Sequence, residues 1–188
     1  MREAEPDALA DLYDAGKRGA WGPLLALFEV VPALAAKAAR YARGGSGWTL
    51  LHQAAYFGHE EAATRLVAAG APVARASTEG ETAAAVARTR GHGALATRLE
   101  HAAETGDALW RPRASPQLLP SSSAWKEATR RRAPRDLRIG YASGIVRIAK
   151  GETHYVDSFG RTLVGWHGTY DPPCGMGGEP IIELETTG

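Results

Sequence analysis

Apolar residues in the first hundred positions recur at the three- and four-residue spacing of helices. Leu66 and Val67 fall on one side of a helix predicted for residues 60–69. A shorter helix is predicted before it, beginning after Thr49 and ending at Gly58. The pattern therefore predicts two short helices joined at a glycine corner.

Much of this unit recurs 33 residues later in the chain. The matching pairs are Gly47 and Gly80, Thr49 and Thr82, Gly58 and Gly91, His59 and His92, Arg65 and Arg98, and Leu66 and Leu99. Coincidences at one constant offset indicate a tandem repeat, in which each unit buries its apolar face against the next.

The segment from Gly47 to Ala71 resembles the ankyrin repeat, through Gly-Trp-Thr-Leu-Leu-His-Gln-Ala-Ala, then Gly-His, then Gly-Ala. Leu50 stands where that family usually has proline. The copy at Gly80–Leu99 is weaker, as expected of a repeat that caps an array. In this family the histidines equivalent to His52, His59 and His92 are structural, so the resemblance implies the same role here.

A divergent first repeat is predicted upstream, with one helix at Leu9–Gly16 and a second at Trp21–Phe28. Extra residues from Pro32 to Tyr41 are expected to replace the usual turn. The resemblance then covers about residues 7–103 and implies about three repeats.

The pattern changes to alternation after residue 136, which is typical of strands. A proline- and serine-rich linker with a short basic helix at Ser123–Arg132 is expected before it. The predicted strands are Leu137–Tyr141, Ile145–Lys150, Thr153–Asp157, Arg161–His167 and Pro180–Leu184. We therefore predict an α+β chain, an ankyrin-repeat helical solenoid (1–107), a linker (108–136) and a small antiparallel β unit (137–188).

Composition narrows the function classes only a little. The formal net charge is +1, and the single cysteine, Cys174, excludes an internal disulfide and a multi-cysteine zinc site. The absence of a long apolar run argues against membrane insertion, and we expect a cytoplasmic or otherwise intracellular protein. The basic run from Lys126 to Arg138 is read as a solvated face, which argues against nucleic acid as the partner.

The ankyrin resemblance implies that the concave surface of turns and first helices binds another protein. The leading function is therefore an interaction module, adaptor or scaffold, with no cofactor, no metal and no catalytic residue assigned. The oligomeric state is left open. Exposed residues on turns and first helices are the expected contacts: Trp48, Gln53, Tyr56, Phe57, Arg75, Ser77, Glu79 and Arg88. Trp48 has an alternative role, which is to fill the space against the first repeat.

A glycine-rich loop at residues 165–178 offers a second class of function, an enzyme or small-ligand site. The surrounding sequence resembles a C-terminal module that accompanies ankyrin repeats in proteins of unsettled function. Its candidate residues are Arg161, Trp166, His167, Tyr170, Asp171 and Cys174.

Four interpretations of this loop stay open. Cys174 could act as a nucleophile with His167 or His154 as base, although spacing cannot show it. Asp157 and Asp171 could join these histidines in a metal site, or loop amides and Arg161 could hold an anion or peptide. The sequence favours the fourth interpretation, a structural loop with buried aromatics, and so favours a non-enzyme. A structural subunit of a larger assembly is the third function considered.

Overall fold

A computed structural model of the chain describes residues 4–106, 117–141, 144–164 and 182–184, with the side chains of 4–7, 144 and 182–184 excepted. The chain divides into two compact units, Met1–Glu104 (unit 1) and Thr105–Gly188 (unit 2). The α+β class is confirmed, because the described helices come first and the described strands follow. No helix in the described residues is long and apolar enough to cross a membrane.

Unit 1 is built from helices. Those described are α1 (Ala4–Lys17), α2 (Trp21–Val30), α3 (Pro32–Arg40), α4 (Leu50–Phe57), α5 (Glu60–Ala68), α6 (Ala83–Thr89) and α7 (Gly93–Thr105). α4 packs against α5 in the same repeat and against α6 in the next. Alanines at these contacts are fully buried, Ala54, Ala55 and Ala87 among them, which allows the helices to approach closely.

The clearest repeat ends its helices as the sequence predicts. Gly58 caps α4 with φ of 65°, in the left-handed region that glycine enters at little cost. His59 begins α5, and its Nδ1 accepts the N–H of Ala62 at 3.1 Å. In the next repeat, the Thr82 hydroxyl accepts the N–H of Ala85 at 3.2 Å at the start of α6.

The turns of neighbouring repeats stack on one another. Ala42 bridges Thr49, and Ala76 bridges Thr82, so the second and third repeats each begin with a small hairpin. The N–H of Thr78 donates to the carbonyl of Ser46 at 2.9 Å and joins two such hairpins.

The predicted first repeat contains a helix that was not expected. Residues 32–40 form α3, with Pro32 at its first turn, where a missing N–H costs nothing. Ala35, Ala36, Ala38 and Ala39 bury its inner face. The extra residues expected here in place of the usual turn form this helix, because alanine favours the helix and Pro32 suits its start.

Unit 2 contains the described strands of the chain. They are β1 (Leu118–Ser122), β2 (Thr129–Arg132), β3 (Leu137–Tyr141), β4 (Gly144–Ile148), β5 (Thr153–Val156), β6 (Thr162–Leu163) and β7 (Ile182–Leu184). Their order is β2-β5-β6-β1-β3-β4-β7. Leu137, Ile139 and Val146 lie in the core of this sheet with Ala133 and Val164.

The sheet is mixed, which corrects the expectation of a purely antiparallel unit. β1 runs parallel to β3 through residues 118–120 and parallel to β6 through residues 121–122. The partner changes directly after Pro120, which has no N–H to continue a ladder. The sequence Leu-Leu-Pro-Ser-Ser does not alternate between apolar and polar residues, and its composition is compatible with a linker. This central strand was therefore not predicted.

The short basic helix expected at Ser123–Arg132 was also wrong. Residues Trp125–Glu127 form a single 3₁₀ turn, and Thr129–Arg132 form β2. β2 pairs antiparallel with β5, and all four of its residues are exposed. Backbone pairing with β5, rather than burial of side chains, determines this strand.

Candidate functional site

Unit 1 has a concave groove between the first helices of its first two repeats. Its volume is about 510 Å³, and it is lined by Tyr13 and Lys17 of α1, Ser46 and Trp48 of the turn, and Gln53, Tyr56 and Phe57 of α4. We call this the aromatic groove. Four of the predicted partner-binding residues, Trp48, Gln53, Tyr56 and Phe57, therefore line one cavity.

A hydrogen bond across the floor of the groove connects the two repeats. Gln53 Nε2 donates to the Tyr13 hydroxyl at 2.7 Å, and both side chains are buried. This bond uses one N–H of the Gln53 amide. The rest of the amide can pair with a peptide group, which has a donor and an acceptor of its own.

The aromatic residues of the groove form a chain of ring contacts. The Trp48 and Tyr56 rings lie 6.2 Å apart, and the Tyr56 and Phe57 rings meet edge to face at 5.2 Å. Phe57 remains 43% exposed. Trp48 and Tyr56 are half-buried. The groove therefore presents a connected aromatic surface.

Positive charge borders the groove. The Arg90 guanidinium carbon lies 3.7 Å from the centroid of the Tyr56 ring, a close cation–π contact. Lys17 lines the cavity itself. Arg43 lies over the Tyr13 ring at 5.8 Å and pairs with Asp14 at 3.7 Å.

The other predicted contact residues lie outside the groove. Arg88 forms an exposed ion pair with Glu100 at 2.7 Å, and the hydrogen bond to Glu100 raises the arginine pKa. Arg75 and Glu79 are exposed on the next turn. Ser77 is buried, and its hydroxyl accepts the N–H groups of Glu79 and Glu81, so it stabilises that turn.

His52 is a buried capping residue under the groove. Its Nδ1 accepts the N–H of Thr49 at 3.2 Å, and its Nε2 lies 3.1 Å from the Glu81 carbonyl. Burial lowers the pKa of His52, and the Arg75 charge lowers it further, while the bond to Glu81 opposes them. This shift favours the neutral ring, and because Nδ1 accepts the Thr49 N–H, the neutral form carries its proton on Nε2.

The candidate C-terminal loop falls mostly outside the described residues. Trp166, His167, Tyr170, Asp171 and Cys174 all belong to that part, so their predicted roles stay predictions.

Arg161 is described, and it is buried. Its Nε donates to Asp157 Oδ2 at 2.7 Å, and its terminal nitrogen donates to the Thr105 hydroxyl at 2.8 Å. Its guanidinium is therefore already bonded within unit 2.

His154 lies on β5 and is buried, with no hydrogen-bond partner for Nδ1 in the described part of unit 2. Burial lowers its pKa, and a backbone bond to Glu152 opposes the shift. Among the described residues, no group of three His, Cys, Asp or Glu side chains could hold a metal ion.

Four residues at the groove were not predicted from the sequence: Tyr13, Lys17, Ser46 and Arg90. Tyr13 and Lys17 lie in the first repeat, where the ankyrin pattern is too worn to align positions. Arg90 follows α6 and reaches back to the preceding repeat. A contact between repeats leaves no signal within either repeat.

Comparison with known families matches one part of unit 1. The ankyrin repeat family matches residues 46–77, the segment that contains α4, α5 and five of the groove residues. A comparison with curated proteins gives no match. The chain therefore contains an ankyrin repeat at residues 46–77, within an N-terminal helical region consistent with further repeats. Ankyrin repeats bind other proteins.

Proposed function

We propose that the chain is an intracellular protein-binding adaptor or scaffold that holds its partner in the aromatic groove. One observation carries the proposal: four residues expected to contact a partner line the same cavity of about 510 Å³, on the first-helix face of an ankyrin repeat. Aromatic side chains contribute most of the binding energy in protein interfaces when a partner desolvates them.

The arrangement of the groove suits binding rather than internal packing. Phe57 would gain from being covered, since 43% of it is exposed. The floor is held in place by the Gln53–Tyr13 bond, so little ordering is needed when a partner arrives. Trp48 contacts His52 and Tyr56 of its own repeat, which supports its role as part of this surface.

Affinity capture with the full chain tests the proposal. Extracts of the source cell are passed over wild type, over a Trp48→Ala, Tyr56→Ala double variant, and over a control with Leu27→Ala and Val30→Ala. The control removes two exposed apolar side chains of α2 that do not line the groove.

A protein captured by wild type and the control but not by the groove variant supports the proposal. Equal capture by all three would mean that the partner binds another surface, which contradicts the proposal. Circular dichroism and hydrogen exchange on each variant separate loss of binding from loss of fold.

A further inference from the structure

The charges around the aromatic groove do not balance. Asp14 is the acidic residue paired at its edge, and Arg43 neutralises it. Lys17 and Arg90 have no carboxylate partner within the described residues. One lies in the cavity lining and the other on the Tyr56 ring, so both positive charges are positioned at the surface that a partner would cover.

A partner that covers these cations must supply negative charge. Burying an unpaired ammonium or guanidinium is costly, and a carboxylate within reach removes that cost. Arg90 is already oriented by Tyr56, which reduces the freedom that it loses on pairing.

The remaining groove surface specifies the rest of the partner. Trp48, Tyr56 and Phe57 form an apolar wall that fits an aromatic or aliphatic side chain. The Gln53 amide on the floor can pair with a peptide backbone, as a neutral amide does in many peptide sites.

We propose that the occupant of the aromatic groove is an acidic peptide segment, in which carboxylate side chains flank an apolar or aromatic anchor. The anchor packs against Trp48, Tyr56 and Phe57, and the carboxylates pair with Lys17 and Arg90. This inference rests on the proposed protein-binding function and adds the chemical class of the partner.

Selection from a displayed library of random peptides tests the inference with the full chain as target. We expect the enriched peptides to carry net negative charge beside an apolar residue, and to lose binding to the Trp48→Ala, Tyr56→Ala variant. Individual peptides are then synthesised and their affinities measured at low and high salt. Affinity should fall as salt rises, because the pairs are partly exposed.

A charge-reversal pair identifies the cations responsible. The Lys17→Glu, Arg90→Glu double variant should lower the affinity for the enriched peptides about tenfold or more. Arg130→Glu with Arg135→Glu makes the same change in net charge at exposed positions of unit 2 and should leave affinity unchanged.

The remaining outcomes count against the inference in different ways. Peptides that need Trp48 and Tyr56 but are neutral or basic would overturn it and leave the protein-binding proposal standing. Failure to enrich any peptide that depends on the groove would overturn both. Equal loss of affinity with the two charge-reversal pairs would show a general effect of net charge. That result would also overturn the inference.

Discussion

Arg161 Nε lies 2.7 Å from Asp157 Oδ2, and the two side chains are only 4% and 0% exposed. The other carboxylate oxygen accepts the N–H groups of Phe159 and Arg161, both at 2.9 Å. One carboxylate therefore fixes both the turn between β5 and β6 and the charge beside it.

Asp157→Asn should destabilise unit 2 by about 3 kcal/mol, because it leaves the Arg161 charge buried without its counter-ion. Asparagine keeps an oxygen that can accept the two turn N–H groups, so the change isolates the charge. Native-state hydrogen exchange at β5 and β6 amides measures the loss within this unit. Adding Arg161→Met should recover part of the stability, and simple additivity would contradict a direct coupling.

The neutral form of His52 predicts a pH-dependent stability of unit 1. Burial lowers the pKa of His52 from its ordinary 6.5, so the unfolded chain binds the proton more readily than the folded one. The stabilising contribution is therefore complete above about pH 6.5 and is lost as pH falls toward the lower folded value. NMR titration of the ring, compared with the urea-unfolded chain, checks the direction of the shift.

Two substitutions at position 52 separate capping from titration. His52→Gln keeps a side-chain acceptor for the Thr49 N–H but removes the titrating ring. It should retain much of the stability and flatten its pH dependence in unit 1. His52→Leu should lose both the capping bond and the pH dependence. It should destabilise unit 1 by about 1 kcal/mol or more. An unchanged pH slope in His52→Gln would place the titration in another residue. His154 has a pKa lowered in the same direction, so amides of unit 1 must be followed separately.

Gly58→Ala should destabilise unit 1 by about 1–2 kcal/mol. An alanine there would adopt a φ near 65°, and its Cβ would come 2.5 Å from His92 Nδ1. Gly93→Ala is the matched control, because its Cβ would meet nothing within 4 Å and the residue begins α7. That control should be neutral or slightly stabilising. Equal losses at the two positions in urea unfolding would contradict the role of the Gly58 conformation.

Tyr13→Phe should cost about 1–3 kcal/mol, since it leaves a buried Gln53 N–H without its acceptor. The substitution should also lower the affinity for any partner that needs an oriented Gln53 amide. Tyr41→Phe is the control, because the Tyr41 ring lies 6.1 Å from Tyr13 and its hydroxyl makes no hydrogen bond in the described residues. Urea unfolding compares the two, and equal effects would remove the Gln53–Tyr13 bond as the cause.

The repeat was predictable because each of its signals is local. Gly58 and Thr82 cap their helices through backbone groups a few residues away, and such caps leave a fixed spacing in the sequence. The groove was predictable only in part: Tyr56 and Phe57 lie within one repeat, whereas Tyr13 and Arg90 reach it from the repeats on either side.

The strands of unit 2 show the same division. Leu137–Tyr141 alternates visibly because one face is buried. β2 is exposed throughout, and β1 contains a proline, so neither carries the pattern of a half-buried strand. Both owe their conformation to partners distant in sequence, Tyr155 opposite Arg130 and Thr162 opposite Ser121.

The position of β1 determines the order in which unit 2 can assemble. β1 is made before its neighbours in the sheet, yet Ser121 must wait for Thr162, about forty residues later, before its ladder can form. Among the described strands, the two halves of the sheet meet through β1. A fragment that begins at residue 123 would lack β1 but keep both halves, which leaves β3 and β6 with open edges. Such edges pair readily with other chains, so the fragment should aggregate where the longer chain folds.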